Sequence, residues 1–320
     1  MKELIITNGD SAVQIMQRAK IKADILPWRD VLHDGPVPAD LNLPELAIIR
    51  AEFISDQGWA GKAQVLKDFQ ARDAQLASFK DYGQLTLWFE HDLYDQLQIL
   101  QILDWMSGQD MAGTRVRMIC TEQYLGRCTP AQMLKMREHE TDISKSQCLL
   151  AQKAWAAFRA PHPQAWRNLL DMDTSDLPFL HDAILRQLQE YPHCESGLSL
   201  SEVRALNIIA DGVNQPGRVF GVWQKGETRQ FMGDLSFFNM LDRLYDSSPR
   251  LIKLSEGQSV DYRLYPEQTV ALTPFANAVI TDSQSAMPAM QFDYWIGGVH
   301  QRKGQVWCWD DDAQTLSFSA

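Results

Sequence analysis

The chain has 320 residues, of which 45% are hydrophobic and 22% charged, and its formal net charge is −11. That length predicts two domains, or one with a large appendage, and the composition is that of a chain folded throughout, which excludes disordered and collagen-like classes. The acidic balance excludes wholesale nonspecific nucleic-acid binding, which needs a basic surface to displace counterions from phosphates, and leaves only a local basic patch open.

Leu4 to Thr7 reads as a buried strand, and Asn8-Gly9-Asp10-Ser11 turns the chain into an amphipathic helix carrying Ala12, Val13, Ile15, Met16 and Ala19. Ala23 to Trp28 gives a second short strand. The segment Arg29 to Pro38 follows, where two prolines and a glycine predict a long shaped loop without regular structure. Helices are expected over Pro44 to Gln57 and Ala60 to Phe79. Gln84 to Phe89 is a strand of β-favouring residues, stopped by Glu90-His91-Asp92 and followed by a helix from Leu93 to about Met106. Arg115 to Cys120 is a fourth strand, ending at Thr121-Glu122-Gln123. Strands alternating with helices predict a Rossmann-like, mainly parallel sheet over residues 1–126.

From Thr129-Pro130-Ala131-Gln132, a capping-box start, the pattern becomes helical, with Ser144 to Phe158, Pro163 to Leu170 and Pro178 to Tyr191 continuing it. Residues 127–195 are therefore expected to be a helical connector. Residues 196–320 start with helices from Leu198 to Ala210, Pro216 to Lys225 and Asp234 to Tyr245. Strands near Leu251 to Leu254, Tyr262 to Tyr265 and Thr269 to Leu272 come next, the order of a winged-helix-like α+β domain. A terminal hairpin is expected around Lys303-Gly304, flanked by Trp307 and Trp309. The third of those helices has a single basic residue, Arg243, so it fits packing better than phosphate contact. DNA remains a weakly supported partner.

The cysteines Cys120, Cys128, Cys148, Cys194 and Cys308 are scattered and form no Cys-x-x-Cys pair, so reduced thiols are expected rather than a disulfide framework or structural zinc. The amino terminus has too short an apolar run for a signal peptide, and no stretch approaches the ~20 apolar residues of a membrane helix. A cytoplasmic location without a membrane partner is the expectation.

In an open parallel sheet, ligands bind outside the carboxyl ends of the strands, where helix N-termini converge. Every predicted strand ends there in polar residues. Asn8, Gly9, Asp10 and Ser11 could hold an anion on backbone N–H groups, although Ser11 read as a helix cap with Gln14 explains part of that turn equally well. Arg29 and Asp30 sit with His33 in the proline-bearing loop, which suits an arginine fork for a phosphate and a proton-donating imidazole; a surface pairing of Arg29 with Asp30 or Asp34 is the plain alternative. Glu90, His91, Asp92 and Asp95 gather carboxylates and an imidazole at one strand-to-helix junction, enough for acid–base chemistry or a magnesium-type divalent cation. Helix capping accounts for Asp92 and Asp95 but not for Glu90 and His91, which would point to opposite faces of an ideal strand. Trp28, Trp88 and Phe89 read as core, and His139, His162, His181 and His193 as surface or satisfied polar groups.

Three stretches carry a resemblance: Thr7 to Ser11, Leu26 to Pro38, and Leu87 to Leu97 with its Trp88-Phe89-Glu90-His91-Asp92 centre. On these the chain resembles a bacterial family designated domain of unknown function 1835. The remainder is similar to the family's longer members, including Trp295-Ile296-Gly297-Gly298-Val299-His300. Asp34 stands where the family leads one to expect glutamate, and a carboxylate is kept. The resemblance implies a domain assignment and brings no activity. The expected function is a binder of a phosphorylated or nucleotide-like small molecule, acting as a hydrolase or group transferase. A ligand-sensing regulator whose winged helix meets DNA or a protein is the alternative.

Overall fold

The computed structural model describes residues 2–111, 113–261, 263 and 266–319. Its central sheet is built from β1 (Glu3–Thr7), β2 (Asp24–Pro27), β4 (Gln84–Glu90), β5 (Arg115–Thr121) and β6 (Thr141–Asp142), in the spatial order β2-β1-β4-β5-β6. The first four run parallel, and β6 pairs antiparallel with β5. β6 lies in the stretch expected to be wholly helical; its Asp142 is clamped by Arg115 through Nε at 2.6 Å and a terminal nitrogen at 2.7 Å, which stabilises a two-residue edge.

Period-two alternation sends Ile5, Trp88 and Ile119 to one face of the sheet and Leu4, Ile6, Leu87 and Phe89 to the other. Helix α1 (Asp10–Arg18) covers the first face with Ala12 and Met16. The short helix α5 (Pro130–Met136), opened by the reciprocal Thr129 and Gln132 cap, adds Met133 and Met136. The opposite face is covered by α4 (Leu93–Ser107), a helix buried along most of its length, and by α6 (Lys145–Arg159) packed against it. Helices α2 (Leu43–Asp56) and α3 (Lys62–Ala77) form a hairpin beyond β2.

The chain goes from β1 outward to β2 and then returns to β4 on the other side of β1. Strand order therefore reverses between β1 and β4, and the crevice outside their carboxyl ends is the place where such sheets hold ligands.

The segment Arg29 to Pro38 departs from the expected irregular loop. Gly35–Pro36 forms a two-residue strand, β3, parallel to β9 (Asp293–Gly297), and β9 turns through Gly298 into β10 (Val299–Arg302). Gly35 takes φ +79°, and a Cβ there would fall 2.5 Å from the Phe53 ring, so only glycine lets the loop lie this close to α2.

After α7 (Gln164–Arg167) and α8 (Leu180–Leu188) come α9 (Leu200–Ala210), α10 (Pro216–Gly226), α11 (Asp234–Asp246) and an antiparallel pair, β7 (Ile252–Leu254) with β8 (Val270–Leu272). The strand expected over Tyr262 to Tyr265 falls largely outside the described residues. Helix α12 (Pro274–Ile280) follows, and β11 (Val306–Asp310) pairs with β12 (Thr315–Ser319). Lys303-Gly304 is a tight turn closed by a single Arg302–Gln305 bridge, so the extended hairpins lie on either side of it, at Gly297-Gly298 and at residues 311–314. One hydrophobic core runs from Leu4 to Trp309 and crosses the boundaries drawn at 126 and 195. Among the described residues, no helix is long and apolar enough to cross a membrane.

Candidate functional site at the sheet switch point

Strand β4 ends at Glu90, and α4 begins at Leu93 with Asp92 as its N-cap; the Asp92 carboxylate accepts from the Asp95 amide at 3.1 Å. This two-residue turn folds the chain back on itself, so that carboxylate oxygens of Glu90, Asp92 and Asp95 all lie within 4.8 Å of one another. Asn8, the first residue past β1, bridges two of them: its amide donates to Glu90 Oε1 at 2.8 Å and to Asp95 Oδ2 at 3.1 Å. Glu90 Oε1 also accepts from the Leu125 amide at 2.7 Å, and the Glu90 amide donates to Asp95 Oδ2. Asp95 has no exposed surface, and its Oδ1 has no hydrogen-bond partner among the described residues.

Burial pushes all three acids upward. The Asp92 carboxyl rises to about 7, driven by desolvation and by the Glu90 charge, against its amide bonds. Desolvation, then the Asp92 and Glu90 charges, holds Asp95 well above the carboxylate range. Glu90 is also raised by burial, with Asn8, the Leu125 amide and Arg127 opposing. Such a trio needs a proton or a hard cation to neutralise it, and a carboxyl titrating near neutrality is suited to proton transfer.

The same crevice holds the amino end of α1. Its N-cap is Gly9, and no side chain caps it, so Ser11 sits inside the first turn and does not form the cap with Gln14. The first-turn amides therefore lack a side-chain acceptor, which is the arrangement that favours anions. A cavity of about 320 Å³ lies here, lined by Asn8 to Ser11, Glu90, Tyr124, Gly126 and Arg127. A Cβ on Gly126 would meet the Ser11 Cβ at 2.8 Å, so glycine permits the 125–127 turn to close over α1.

The remaining sequence-predicted residues lie elsewhere. Arg29 forks onto Asp10, Nε to Oδ2 at 2.9 Å and a terminal nitrogen to Oδ1 at 2.6 Å, so it pairs with neither Asp30 nor Asp34, and it stands on the exposed rim. The guanidinium holds the Asp10 carboxyl below its usual range. Asp30 is buried against Arg50 at 2.9 Å, and Arg50 also donates to the carbonyls of Val31 and Asp34, both at 2.8 Å. Asp30 is thus an anchor of the 29–36 loop, and its carboxylate does not reach the crevice lining. His33 is buried between Tyr94 and Phe231, and desolvation, with Arg50 and Arg186, lowers it to about 3. It is a neutral ring, so the expected proton-donor role is withdrawn.

His91 is the first residue past β4 and does not line the crevice cavity. It packs on Tyr124 and Phe179 and lines a separate cavity of about 300 Å³ with Arg186, Arg204, Glu227 and Arg229. Burial and Arg229 lower its pKa. Glu90 and His91 accordingly do not share one site.

The sequence places Thr121-Glu122-Gln123 at the end of β5, whereas the crevice is reached by Tyr124, Gly126 and Arg127 one turn later. Arg50 is not among the expected site residues; its one signal in the sequence is an arginine four residues after Leu46, on the buried face of α2. No protein-family model matches the chain, and comparison with curated proteins gives no match.

Proposed function

We propose that the chain binds a phosphorylated small molecule at the switch point and acts on it as a hydrolase or group transferase. The phosphate would rest on the uncapped amino end of α1, beside Arg127, and a magnesium-type cation held by Glu90, Asp92 and Asp95 would neutralise both. The observation that carries this reading is the buried trio itself, with Asp95 Oδ1 unpartnered inside it. Buried carboxylates this close ionise together only when a cation compensates them. When bound, the cation would polarise a phosphoryl oxygen. Asn8 orients two of the carboxylates.

The test is isothermal titration at pH 7.5 with magnesium alone, and with inorganic pyrophosphate in the presence and absence of magnesium. One saturable magnesium site, and pyrophosphate binding that depends on it, is expected. Absence of heat from both, in protein shown to be folded, overturns the reading.

We read the three helices and hairpin of residues 196–272 as a winged-helix-like unit docked within its own chain, and membership of the 1835 family as the best account of the motifs. What favours docking over DNA is that α11 is buried through Phe237, Phe238, Met240, Leu241 and Leu244, with Asn239 bonded to Gln57 at 2.6 Å. A helix so covered cannot enter a major groove. A gel shift at low salt should show no complex. The free thiols suit the reducing cytoplasm, where we place the chain.

A further inference from the structure

Next to the crevice lies a second cavity of about 410 Å³, and the two share a wall, because Tyr124 and Arg127 line both. Its other walls include three aromatic rings, Tyr94 from the first turn of α4, Trp59 from the α2–α3 turn and Phe231 from the segment between α10 and α11, with Gln224 and the chain from Met232 to Ser236 completing them. His33 stands edge-on to both Tyr94, with centroids 5.9 Å apart, and Phe231, at 5.1 Å. Neither ring nitrogen of His33 has a partner among the described residues, nor has the Trp59 indole nitrogen, although all three atoms are buried. Buried polar atoms are nearly always paired, so three orphans on two residues that line one cavity point to a partner that fills it.

The chemistry of that partner follows from the walls. Aromatic faces take a flat ring, and a neutral imidazole offers one donor and one acceptor, which an aliphatic chain cannot use. The Trp59 nitrogen adds a donor only. A sugar or a bare phosphate would satisfy the polar atoms but waste the apolar surface, and a hydrocarbon would leave the polar atoms unpaired. A heteroaromatic ring that carries both ring nitrogens and exocyclic groups meets both demands. The volume falls within the range of small-molecule sites.

We propose that this cavity is the base pocket of the same site, so that the molecule bound across the shared Tyr124 and Arg127 wall is a nucleotide, its ring in the cavity against Trp59, Tyr94 and Phe231 and its phosphate at α1. This rests on the phosphorylated-ligand reading above, but its test is separable, because a nucleoside carries the ring without the phosphate. Recognition is by His33 acting as a neutral hydrogen-bonding group, with the Trp59 indole N–H as a second donor.

The experiment is ligand-observed saturation-transfer NMR on the full chain with adenosine, guanosine, cytidine and uridine, no metal added, followed by titration for affinity. At least one nucleoside should bind, with transfer strongest at the base protons. Phe231→Ala and Trp59→Phe should each weaken it, the first by about tenfold through lost stacking. Magnesium-dependent pyrophosphate binding should be unchanged in both, which also reports that the variants are folded. Failure of all four nucleosides to bind the wild-type protein, or equal binding in both variants, overturns the base pocket. Nucleoside binding with no pyrophosphate binding would instead overturn the phosphate reading and leave a nucleoside site.

Discussion

Asp92→Asn separates the two things Asp92 does. As the N-cap of α4 it accepts the Asp95 amide at 3.1 Å, and asparagine caps a helix as well as aspartate does. As an acid it is buried and raised from 3.8 to about 7. A folded-state pKa above the unfolded value means that the native state binds the extra proton, so its stability falls as pH rises from about 4 to about 7 and is flat beyond. That interval is worth at most ~4 kcal/mol at about 1.4 kcal/mol per tenfold change, and on the order of 2 kcal/mol once the load is shared with Glu90 and Asp95. Without metal, Asp92→Asn should therefore be more stable than wild type by on the order of 2 kcal/mol at pH 8 and equal to it below about pH 4. Urea unfolding across that range measures the difference. Millimolar magnesium should raise the wild-type midpoint at pH 8 and leave the variant unmoved. A variant less stable than wild type at pH 8 would refute the electrostatic account of the cluster, and equal magnesium shifts in both proteins would remove the cation from it.

Two further outcomes follow. Arg50→Met leaves the Asp30 carboxylate buried without its cation and frees the carbonyls of Val31 and Asp34, so urea unfolding should show a loss of ~3–5 kcal/mol, part of which returns in Arg50→Met/Asp30→Asn; an unchanged midpoint in the single variant would show that the loop is held by its prolines instead. His33, lowered to about 3, should keep a neutral imidazole from pH 5 to pH 8 in long-range proton–nitrogen spectra, and a titration midpoint above pH 5 would show that its cavity is wet.

The strand-helix alternation of residues 4–121 was legible because each element carries its own periodicity, and Asp92 as the cap of α4 followed from local chemistry alone. Which strand ends meet was not legible. Asn8 and Glu90 are joined because β1 and β4 are neighbours with Thr7 beside Trp88, a register fixed by the whole sheet and by no local signal. The 29–36 loop shows the same limit from the other side. Its prolines marked it as shaped, yet its shape comes from Arg50 on α2, from Gln98 donating to the Asp30 carbonyl at 3.0 Å, and from β9 some 260 residues later. The neutrality of His33 depends on Phe231, which is likewise brought in by tertiary packing.

The two parts of the proposed site draw on different parts of the chain. Every hydrogen bond to the Glu90, Asp92 and Asp95 carboxylates that holds the acidic trio together comes from residues 8–125. The ring cavity is completed by Gln224 and residues 230–236, and that segment is fastened to the crevice by the Gln230 amide donating to the Tyr124 phenol and by Arg127 reaching the Gln230 side chain at 2.6 Å. On this reading the amino-terminal sheet supplies the chemistry, and the docked carboxyl-terminal unit supplies the selectivity. Gln230→Ala, which removes the side-chain tie to Arg127 while leaving the amide tie to Tyr124, should therefore loosen nucleoside binding more than magnesium binding.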